Sequence, residues 1–303
     1  MKNIKNFDDL LEHLRNARQR KNVAVACPAD SHTHYVVKRA LDEGIADFIL
    51  VYGAPETTEF ENIRKTYGSH VNAIYMSEPD DAARKAVEIV RNGEADVLMK
   101  GTINTDNLLR AVLDKNKGLL LPGHVLSHVT LAYIPTYNKM ITFSDAAVVP
   151  RPTLEQFEAI IGYASAVCKD IGTACPKVAL IHCTEKTSDK FAHTISYAEI
   201  KRKAAEGAYG NIFIDGPMDV KTACDSESGN IKGMSSPVIG NADALIFPNI
   251  ESGNVFYKTI TQFAGATTAG MLCGTTHPVV VASRADSCES KFYSLALGVI
   301  KNN

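Results

Sequence analysis

The end of the chain places a serine and an arginine between a strand and a helix. Residues 278–282 form a short apolar run that predicts a buried strand of a parallel sheet, and the apolar residues that follow recur at helical spacing. Ser283 and Arg284 therefore lie at a strand-to-helix junction, where free backbone amides and the helix dipole favour an anion. The planar guanidinium of Arg284 suits a phosphate or a carboxylate. The alternative is structural: Asp286 caps the helix, Glu289 completes a capping box, and Arg284 forms a surface salt bridge.

A second stretch carries a polar stripe on a predicted helix. Residues 246–254 run from a strand end through a turn with proline and glycine into that helix. Asn254, Tyr257 and Lys258 fall on one face of it. The opposite face is apolar and consists of Phe256, Ile260 and Phe263. An amide, a phenol and an ammonium group suit an acyl or phosphoryl ligand, and the alternative is a solvated helix face.

A third stretch, residues 100–105, repeats this construction. Lys100 directly follows a predicted strand, Gly101 permits a tight turn, and Thr105 starts the next helix. The structural alternative makes Thr105 the helix cap and leaves Gly101 only a turn residue. If the three strand ends lie on the same edge of their sheets, their lysines and the arginine converge on one anion.

Alternating strands and helices position these stretches. Predicted strands cover residues 23–27, 48–52, 73–76, 96–99, 124–134, 140–148, 178–182, 211–214, 244–247 and 278–282. Predicted helices cover residues 31–43, 59–67, 80–91, 105–114, 153–169, 188–205, 253–265 and the residues after 287, with an amphipathic first helix that turns Leu10, Leu11 and Leu14 inward. This alternation predicts three layers, α/β/α, around mostly parallel sheets.

The composition limits the classes of function. A chain of 303 residues suggests two domains, and a net charge of −2 without runs of lysine or arginine gives no support to nucleic acid or an anionic membrane as partner. The seven scattered cysteines show no zinc-ligand spacing and suggest reduced thiols in a cytoplasm. No P-loop, no dinucleotide-binding fingerprint and no nucleophile elbow is present. We expect no metal, although Ser31-His32-Thr33-His34 contains two candidate ligands.

Several motifs together carry a resemblance to a known family. The segment PNIESGNVFYK is similar to an element of the phosphate acyltransferases, the phosphotransacetylase and phosphotransbutyrylase family. Residues 278–291 resemble the Ser-Arg segment of that family, and MKGTINTDNLLRAVL, LSHV and FSDAAVVPRPT resemble its middle elements in the same order. SRADS after the last strand, LSHV and the short length are closer to phosphate butyryltransferases than to acetyl-specific enzymes.

The resemblance implies reversible transfer of a short acyl group between coenzyme A and orthophosphate, with acyl phosphate as product and no cofactor. It implies the two-domain fold of isocitrate and isopropylmalate dehydrogenases, with residues 1–149 plus 278–303 as one domain and 150–277 as the other. It also implies a homodimer. By this resemblance Arg284 binds the phosphoryl group and Ser283 donates to the carbonyl oxygen of the tetrahedral state. Further substrate or phosphate contacts are expected at Lys100, Gly101, Thr105, Ser127, Asn254, Tyr257 and Lys258.

One departure from the family pattern leaves the catalytic base open. Phosphotransacetylases carry an aspartate seven positions after the motif serine, and here that position is Ser290. Asp286 is our first candidate for the base and Glu289 the second. Three other functions are weighed: a phosphate acetyltransferase, a non-catalytic protein that binds acyl-CoA or phosphate, and a β-decarboxylating dehydrogenase, for which the acidic metal site is missing.

Overall fold

The computed structural model describes residues 3–17, 19–281 and 286–300. Its contacts divide the chain into two compact units. We call Phe7–His124 with Ala269–Asn303 the terminal unit, and Met1–Asn6 with Val125–Thr268 the central unit. The domain boundaries expected from the sequence, 1–149 plus 278–303 and 150–277, stay a prediction.

Strands and helices alternate along most of the described chain. Up to residue 124 the elements are α1 (Phe7–Arg15), β1 (Lys21–Ala26), α2 (Ser31–Asp42), β2 (Ala46–Tyr52), α3 (Thr58–Tyr67), β3 (Val71–Tyr75), α4 (Pro79–Arg91), β4 (Val97–Lys100) and α5 (Thr105–Val112). The elements that follow are β5 (Ser127–Tyr133), β6 (Ile141–Ser144), α6 (Leu154–Asp170), β7 (Lys177–Ile181), α7 (Ala192–Ala205), β8 (Phe213–Met218), α8 (Val220–Cys224), α9 (Ser226–Ile231), β9 (Ala244–Ile246), α10 (Ile250–Phe263), β10 (Thr267–Cys273), β11 (Val279–Val280) and α11 (Cys288–Ile300).

The strands of the terminal unit are parallel apart from β10. Their order is β3-β2-β1-β4-β11, and β10 runs antiparallel to β11. The residues of β1 from Val23 to Ala26 are fully buried because helices cover both faces of the sheet: α1, α2 and α11 pack together, and α4 packs with α5. The chain moves outward from β1 to β3 and then returns to β4. The carboxyl ends of β1 and β4 therefore form a topological switch point, where open α/β sheets bind their ligands.

Aromatic contacts fix the helices that cover the sheet of the terminal unit. Leu10, Leu11 and Leu14 of α1 are buried, as the sequence predicted. The Phe7 ring of this helix stacks on Tyr293 of α11 with ring centres 4.4 Å apart. These contacts hold α11, whose first turn follows the predicted Ser-Arg segment.

The strands of the central unit follow the order β5-β6-β9-β7-β8. Strands β6, β9, β7 and β8 are parallel, and β5 is antiparallel to β6. Helix α6 begins with a capping box, because the Thr153 hydroxyl accepts from the backbone N–H of Gln156 and the Gln156 side chain accepts from the backbone N–H of Thr153. Phe157 of this helix packs on the buried Tyr197 of α7. The helices thus cover a sheet whose parallel strands end on one common edge.

Some predicted bounds were wrong. The strand expected over 140–148 ends at Ser144, and the helix expected from 188 begins at Ala192. Strand β10 was not predicted, because its sequence TTAGMLC is rich in small residues and includes Gly270. Helix α5 is capped by Asn104, whose side chain accepts from the backbone of Asp106, and not by Thr105.

Candidate active site

A small polar cavity lies at the carboxyl ends of the parallel strands β4 and β11 in the terminal unit. It has a volume of about 260 Å³, and we call it the switch-point cavity. Its lining comes from the ends of β4 and β11 and the starts of α2 and α11, and consists of Asp30, His32, Thr33, Met99, Lys100, Gly101, Thr102, Val280 and Lys291. The predicted contacts Lys100 and Gly101 therefore lie together here. Thr105 lies on the first turn of α5.

The start of α2 is shaped by its capping residue. Asp30 accepts from the backbone N–H of Thr33 at 2.9 Å and from its hydroxyl at 2.6 Å. Burial raises the pKa of Asp30, but the hydrogen bonds from Thr33 and the charge of Lys291 outweigh burial and lower this pKa below its ordinary value. Asp30 is thus an anion that fixes the helix start at the cavity wall.

Two ammonium groups give the cavity a positive excess. Lys291 Nζ lies 2.6 Å from His32 Nδ1, and Lys100 Nζ donates to the carbonyl oxygen of Gly101 at 3.1 Å. Because an ammonium group only donates, His32 Nδ1 is the acceptor in this contact. The cavity therefore presents cations, N–H donors and a helix start against the single carboxylate of Asp30. This combination suits a phosphate or a carboxylate.

Gly101 is required by the close approach of β1 and β4. A Cβ atom at this position would lie 2.2 Å from the carbonyl oxygen of Cys27. The backbone N–H and the hydroxyl of Thr102 both donate to that same oxygen at 2.8 Å. Gly101 therefore allows the ends of β1 and β4 to approach closely, and Thr102 forms hydrogen bonds between them.

A second cavity adjoins the first within the terminal unit. It has a volume of about 250 Å³, and we call it the apolar cavity. Its walls include Cys27, Pro28, Tyr52, Pro55 and Ile103, Asn104 and Asn107 add two amide groups, and Thr102 lines both cavities. Burial raises the pKa of the Cys27 thiol, so this side chain remains protonated and acts as part of an apolar wall.

In the central unit, a buried carboxylate organises the end of β6. Asp145 is only 1% exposed and accepts four hydrogen bonds. The donors are the Ser127 hydroxyl at 2.9 Å and the backbone N–H groups of His128, Ala147 and Val148 at 3.0, 2.7 and 2.8 Å. Ser127 is fully buried, and its hydroxyl also lies 3.1 Å from that of Ser144. The expectation that Ser127 contacts substrate stays a prediction.

Helix α10 packs closely against the loop that contains Asp145. A Cβ atom on Gly253 would lie 2.2 Å from the carbonyl oxygen of Asp145, and Asn254 donates to the carbonyl oxygen of Ala146 at 3.1 Å. The Lys258 ammonium lies 4.4 Å from the centre of the Tyr257 ring. Tyr257 also packs against Phe143 in the hydrophobic cluster of the central unit, so its ring does not lie on a wholly solvated face.

Two sequence expectations about helix faces and caps were wrong. Phe263 was expected to face inward with Phe256 and Ile260, but it is 83% exposed. The predicted capping box of Asp286 and Glu289 does not form, because the Ser287 hydroxyl accepts from the backbone N–H of Ser290 at 3.1 Å. Glu289 instead lies 3.4 Å from Arg39.

The predicted catalytic pair, Ser283 and Arg284, lies outside the described residues. The chain on either side of the pair contributes Val280 and Lys291 to the switch-point cavity. Sequence reasoning placed neither His32 nor Lys291 at this cavity. The sequence pattern identified His32 only as a candidate metal ligand. Lys291 lies in segment 278–291, which resembles the Ser-Arg segment of the family, but its side chain was not singled out.

The described residues give two further findings about the kind of protein. Among residues 3–17, 19–281 and 286–300, no group of three or more His, Cys, Asp or Glu side chains is arranged to hold a metal ion. Over the same residues, no helix combines the length and the apolar character needed to cross a membrane.

Comparison with known proteins gives a consistent set of matches. Residues 60–299 match the family model of the phosphate acetyl/butaryl transferases. The chain is 36% identical over 300 residues to a phosphate butyryltransferase of Clostridium acetobutylicum, covering 98% of each chain. It is 35% identical over 281 residues to a phosphate acetyltransferase of Thermotoga maritima, covering 92% of this chain and 95% of the relative.

Solved structures show the same similarity in three dimensions. A branched-chain phosphotransacylase from Enterococcus faecalis superposes with a TM-score of 0.82 at 30% identity, covering 93% of this chain and 98% of that one. A putative 4-hydroxythreonine-4-phosphate dehydrogenase from Salmonella typhimurium shares the fold, with a TM-score of 0.57 at 11% identity over 94% of this chain and 100% of that one. The predicted α/β/α fold of the isocitrate dehydrogenase type is thereby confirmed.

Proposed function

The chain belongs to the phosphate acetyl/butaryl transferase family, whose members are acyltransferases, and we propose that it transfers a short acyl group between coenzyme A and orthophosphate. We propose butyryl-type acyl groups as its substrates, in line with its similarity to phosphate butyryltransferase. The observation that supports the proposal is the switch-point cavity, which is lined by Lys100 at the end of β4 and by Lys291 in the first turn of α11.

In this proposal the switch-point cavity binds the phosphoryl oxygens. The ammonium groups of Lys100 and Lys291 neutralise charge, and the ring of His32 supplies a further N–H donor. Arg284, which follows Val280 closely in the chain, adds two parallel N–H donors to the same phosphoryl group.

The reaction needs a nucleophile, an oxyanion donor and a leaving thiolate. An oxygen of orthophosphate attacks the thioester carbonyl carbon, and the carbonyl electron pair moves onto its oxygen. The Ser283 hydroxyl donates to this oxyanion, an interaction that is typically worth ~2.7–4 kcal/mol in the transition state. The carbonyl then re-forms, the C–S bond breaks, and coenzyme A leaves as thiolate and takes up a proton.

The reverse reaction requires removal of the thiol proton, because the thiol of coenzyme A is mostly protonated at neutral pH. We propose Asp286 as the base. Ser290 is engaged at the helix start, where its hydroxyl lies 3.2 Å from that of Ser287, and Glu289 lies against Arg39. In this proposal Asp286→Asn lowers the rate of thioester formation by at least tenfold, while Glu289→Gln leaves it within about twofold. Equal losses in the two variants would contradict the choice of Asp286.

We propose that the polar face of α10 makes further substrate contacts. Asn254, Tyr257 and Lys258 offer an amide, a phenol and an ammonium group. Thr105 and Gly101 remain proposed contacts through their backbone amides at the turn and helix start. Ser127 is proposed to act through Asp145, whose loop supports α10.

The function is tested by thiol release from acetyl-, propionyl-, butyryl- and isobutyryl-CoA, each with and without orthophosphate. We expect release that depends on phosphate and is fastest for butyryl- or isobutyryl-CoA. Ser283→Ala and Arg284→Ala should each lower it at least a hundredfold, and Lys38→Ala, at an exposed position of α2, is the control. Thiol release that does not depend on phosphate for any of the four thioesters would rule out acyl transfer to phosphate. It would favour a non-catalytic protein that binds acyl-CoA.

A phosphate acetyltransferase is the second candidate, because the relative from Thermotoga maritima is almost as similar in sequence. The same panel separates the two functions, since acetyl-CoA would then be the fastest substrate. We also propose a cytoplasmic homodimer that uses coenzyme A and phosphate as substrates and needs no cofactor. Light scattering that detects only monomer would contradict the dimer. Because we propose that no cofactor is needed, we expect the protein to keep its full activity after treatment with a chelator.

A further inference from the structure

The apolar cavity has no role in the chemistry described above. It lies beside the switch-point cavity and is lined by Cys27, Pro28, Tyr52, Pro55 and Ile103. At about 250 Å³ it is small, and its named walls carry mainly carbon and sulfur atoms. Such a space fits a short aliphatic group better than a nucleotide or a charged group.

The two cavities have Thr102 in common. This residue lines both, and its side chain is held by the hydrogen bond from its hydroxyl to the carbonyl oxygen of Cys27 at 2.8 Å. On one side of it lie the ammonium groups of Lys100 and Lys291, and on the other side lie apolar walls. A ligand that spans Thr102 must have an anionic head and an aliphatic tail.

The walls of the apolar cavity are rigid. Tyr52 is 2% exposed, its ring stacks on Tyr75 with centres 5.2 Å apart, and its hydroxyl donates to Glu56 at 3.0 Å. Gly53 packs so closely that a Cβ atom there would lie 2.5 Å from the Cα of Pro79. A cavity held in this way keeps its volume when it is empty, so it can distinguish ligands by length.

We propose that the apolar cavity receives the aliphatic chain of the acyl group and sets the preference for chain length. This inference rests on the proposed function, because it takes the phosphoryl end of an acyl phosphate to lie in the switch-point cavity. The acyl carbonyl then lies near Thr102, and each further methylene extends between Tyr52 and Ile103. Hydrophobic pockets of this kind discriminate about 10- to 200-fold per methylene.

Two exposed alanines on the cavity wall allow a test that spares the core. Ala29 and Ala54 both line the cavity and are exposed to solvent. Leucine at either position fills the cavity from its mouth. We expect Ala29→Leu and Ala54→Leu to lower kcat/KM for butyryl-CoA at least tenfold and to leave that for acetyl-CoA within about threefold. Ala17→Leu, also at an exposed position of the terminal unit, should change neither value.

Binding of alkylphosphonates separates this inference from the proposed function. Methylphosphonate and butylphosphonate share an anionic head and differ in their tail. We expect the wild-type protein to bind butylphosphonate at least tenfold more tightly, and Ala54→Leu to abolish this difference. If the wild type shows no phosphate-dependent release but retains the difference, the proposed function fails and the cavity assignment stands.

Other results would overturn the cavity assignment. An equal loss with every acyl-CoA would mean that the cavity holds a part common to all of them, such as the pantetheine arm. An unchanged chain-length preference in both leucine variants would show that the aliphatic chain lies elsewhere, as would equal binding of the two phosphonates by the wild type.

Discussion

Replacing Asp145 by asparagine should be among the most damaging conservative changes in the central unit. One carboxylate oxygen accepts from the backbone of Ala147 and Val148, and the other accepts from His128 and the Ser127 hydroxyl. An asparagine has one acceptor oxygen, so its amide group must face one of these pairs. The Ser127 hydroxyl can rotate and accept, but a backbone N–H cannot.

The expected cost follows from these contacts. The hydrogen bonds that remain lose their ionic partner, and hydrogen bonds to charged groups are worth about 1 kcal/mol more than neutral ones. One backbone N–H is left facing another donor, which costs a further ~1–3 kcal/mol. We therefore expect Asp145→Asn to lower the free energy of unfolding by about 3–5 kcal/mol, a large part of the typical 5–15 kcal/mol of a folded domain.

Ser127→Ala is the matched comparison. It removes one donor and leaves the carboxylate with its three backbone N–H groups, so we expect a loss of about 1–2 kcal/mol. Urea unfolding followed by circular dichroism measures both variants. A loss for Asp145→Asn no larger than that for Ser127→Ala would refute the idea that Asp145 is the organising group. Because Gly253 packs on the carbonyl oxygen of Asp145, the folded fraction of Asp145→Asn should also show reduced acyl transfer.

Two further predictions concern a glycine and a pair of histidines. Gly101→Ala places a methyl group 2.2 Å from the Cys27 carbonyl oxygen. Thermal unfolding should therefore show that the free energy of unfolding falls by about 1–3 kcal/mol, and activity should also fall. Gly162→Ala, with no neighbour within 4 Å, is the control and should raise the free energy of unfolding by about 0.5–1 kcal/mol. Burial lowers the pKa of both His182 and His193 from 6.5, so the unfolded chain binds more protons and stability should fall as pH drops below about 6.5. Unfolding midpoints at pH 7.5 and 5.5 that agree within error would contradict this sign, and His193→Gln should reduce the loss on acidification.

Local signals in the sequence predicted local structure well. The capping box of Thr153 and Gln156 forms because both partners lie within one helical turn, and the apolar stripe of α1 is buried for the same reason. The cap of α11 was misassigned by one residue, since Asp286 and Ser287 both have capping side chains and spacing alone does not rank them. Such choices depend on the angle at which the chain enters the helix.

The candidate site was only partly predictable, because its groups come from distant parts of the chain. Lys291 contacts His32, which lies 259 residues away in the sequence, and no pattern in either segment predicts this contact. Lys100 and Gly101 were found because a lysine and a glycine follow a predicted strand directly. The order of strands, which brings the ends of β1, β4 and β11 together, arises from long-range pairing and has no local signature.

The most direct test of the account is the KM for orthophosphate in Lys291→Ala, measured by thiol release from saturating butyryl-CoA. If the switch-point cavity binds the phosphoryl oxygens, this KM should rise about 10- to 100-fold, as expected for loss of a charge-assisted hydrogen bond, while the KM for butyryl-CoA stays within about threefold. Lys291→Arg should recover part of the loss. An unchanged KM for orthophosphate in an active Lys291→Ala variant would contradict the assignment of this cavity to phosphate.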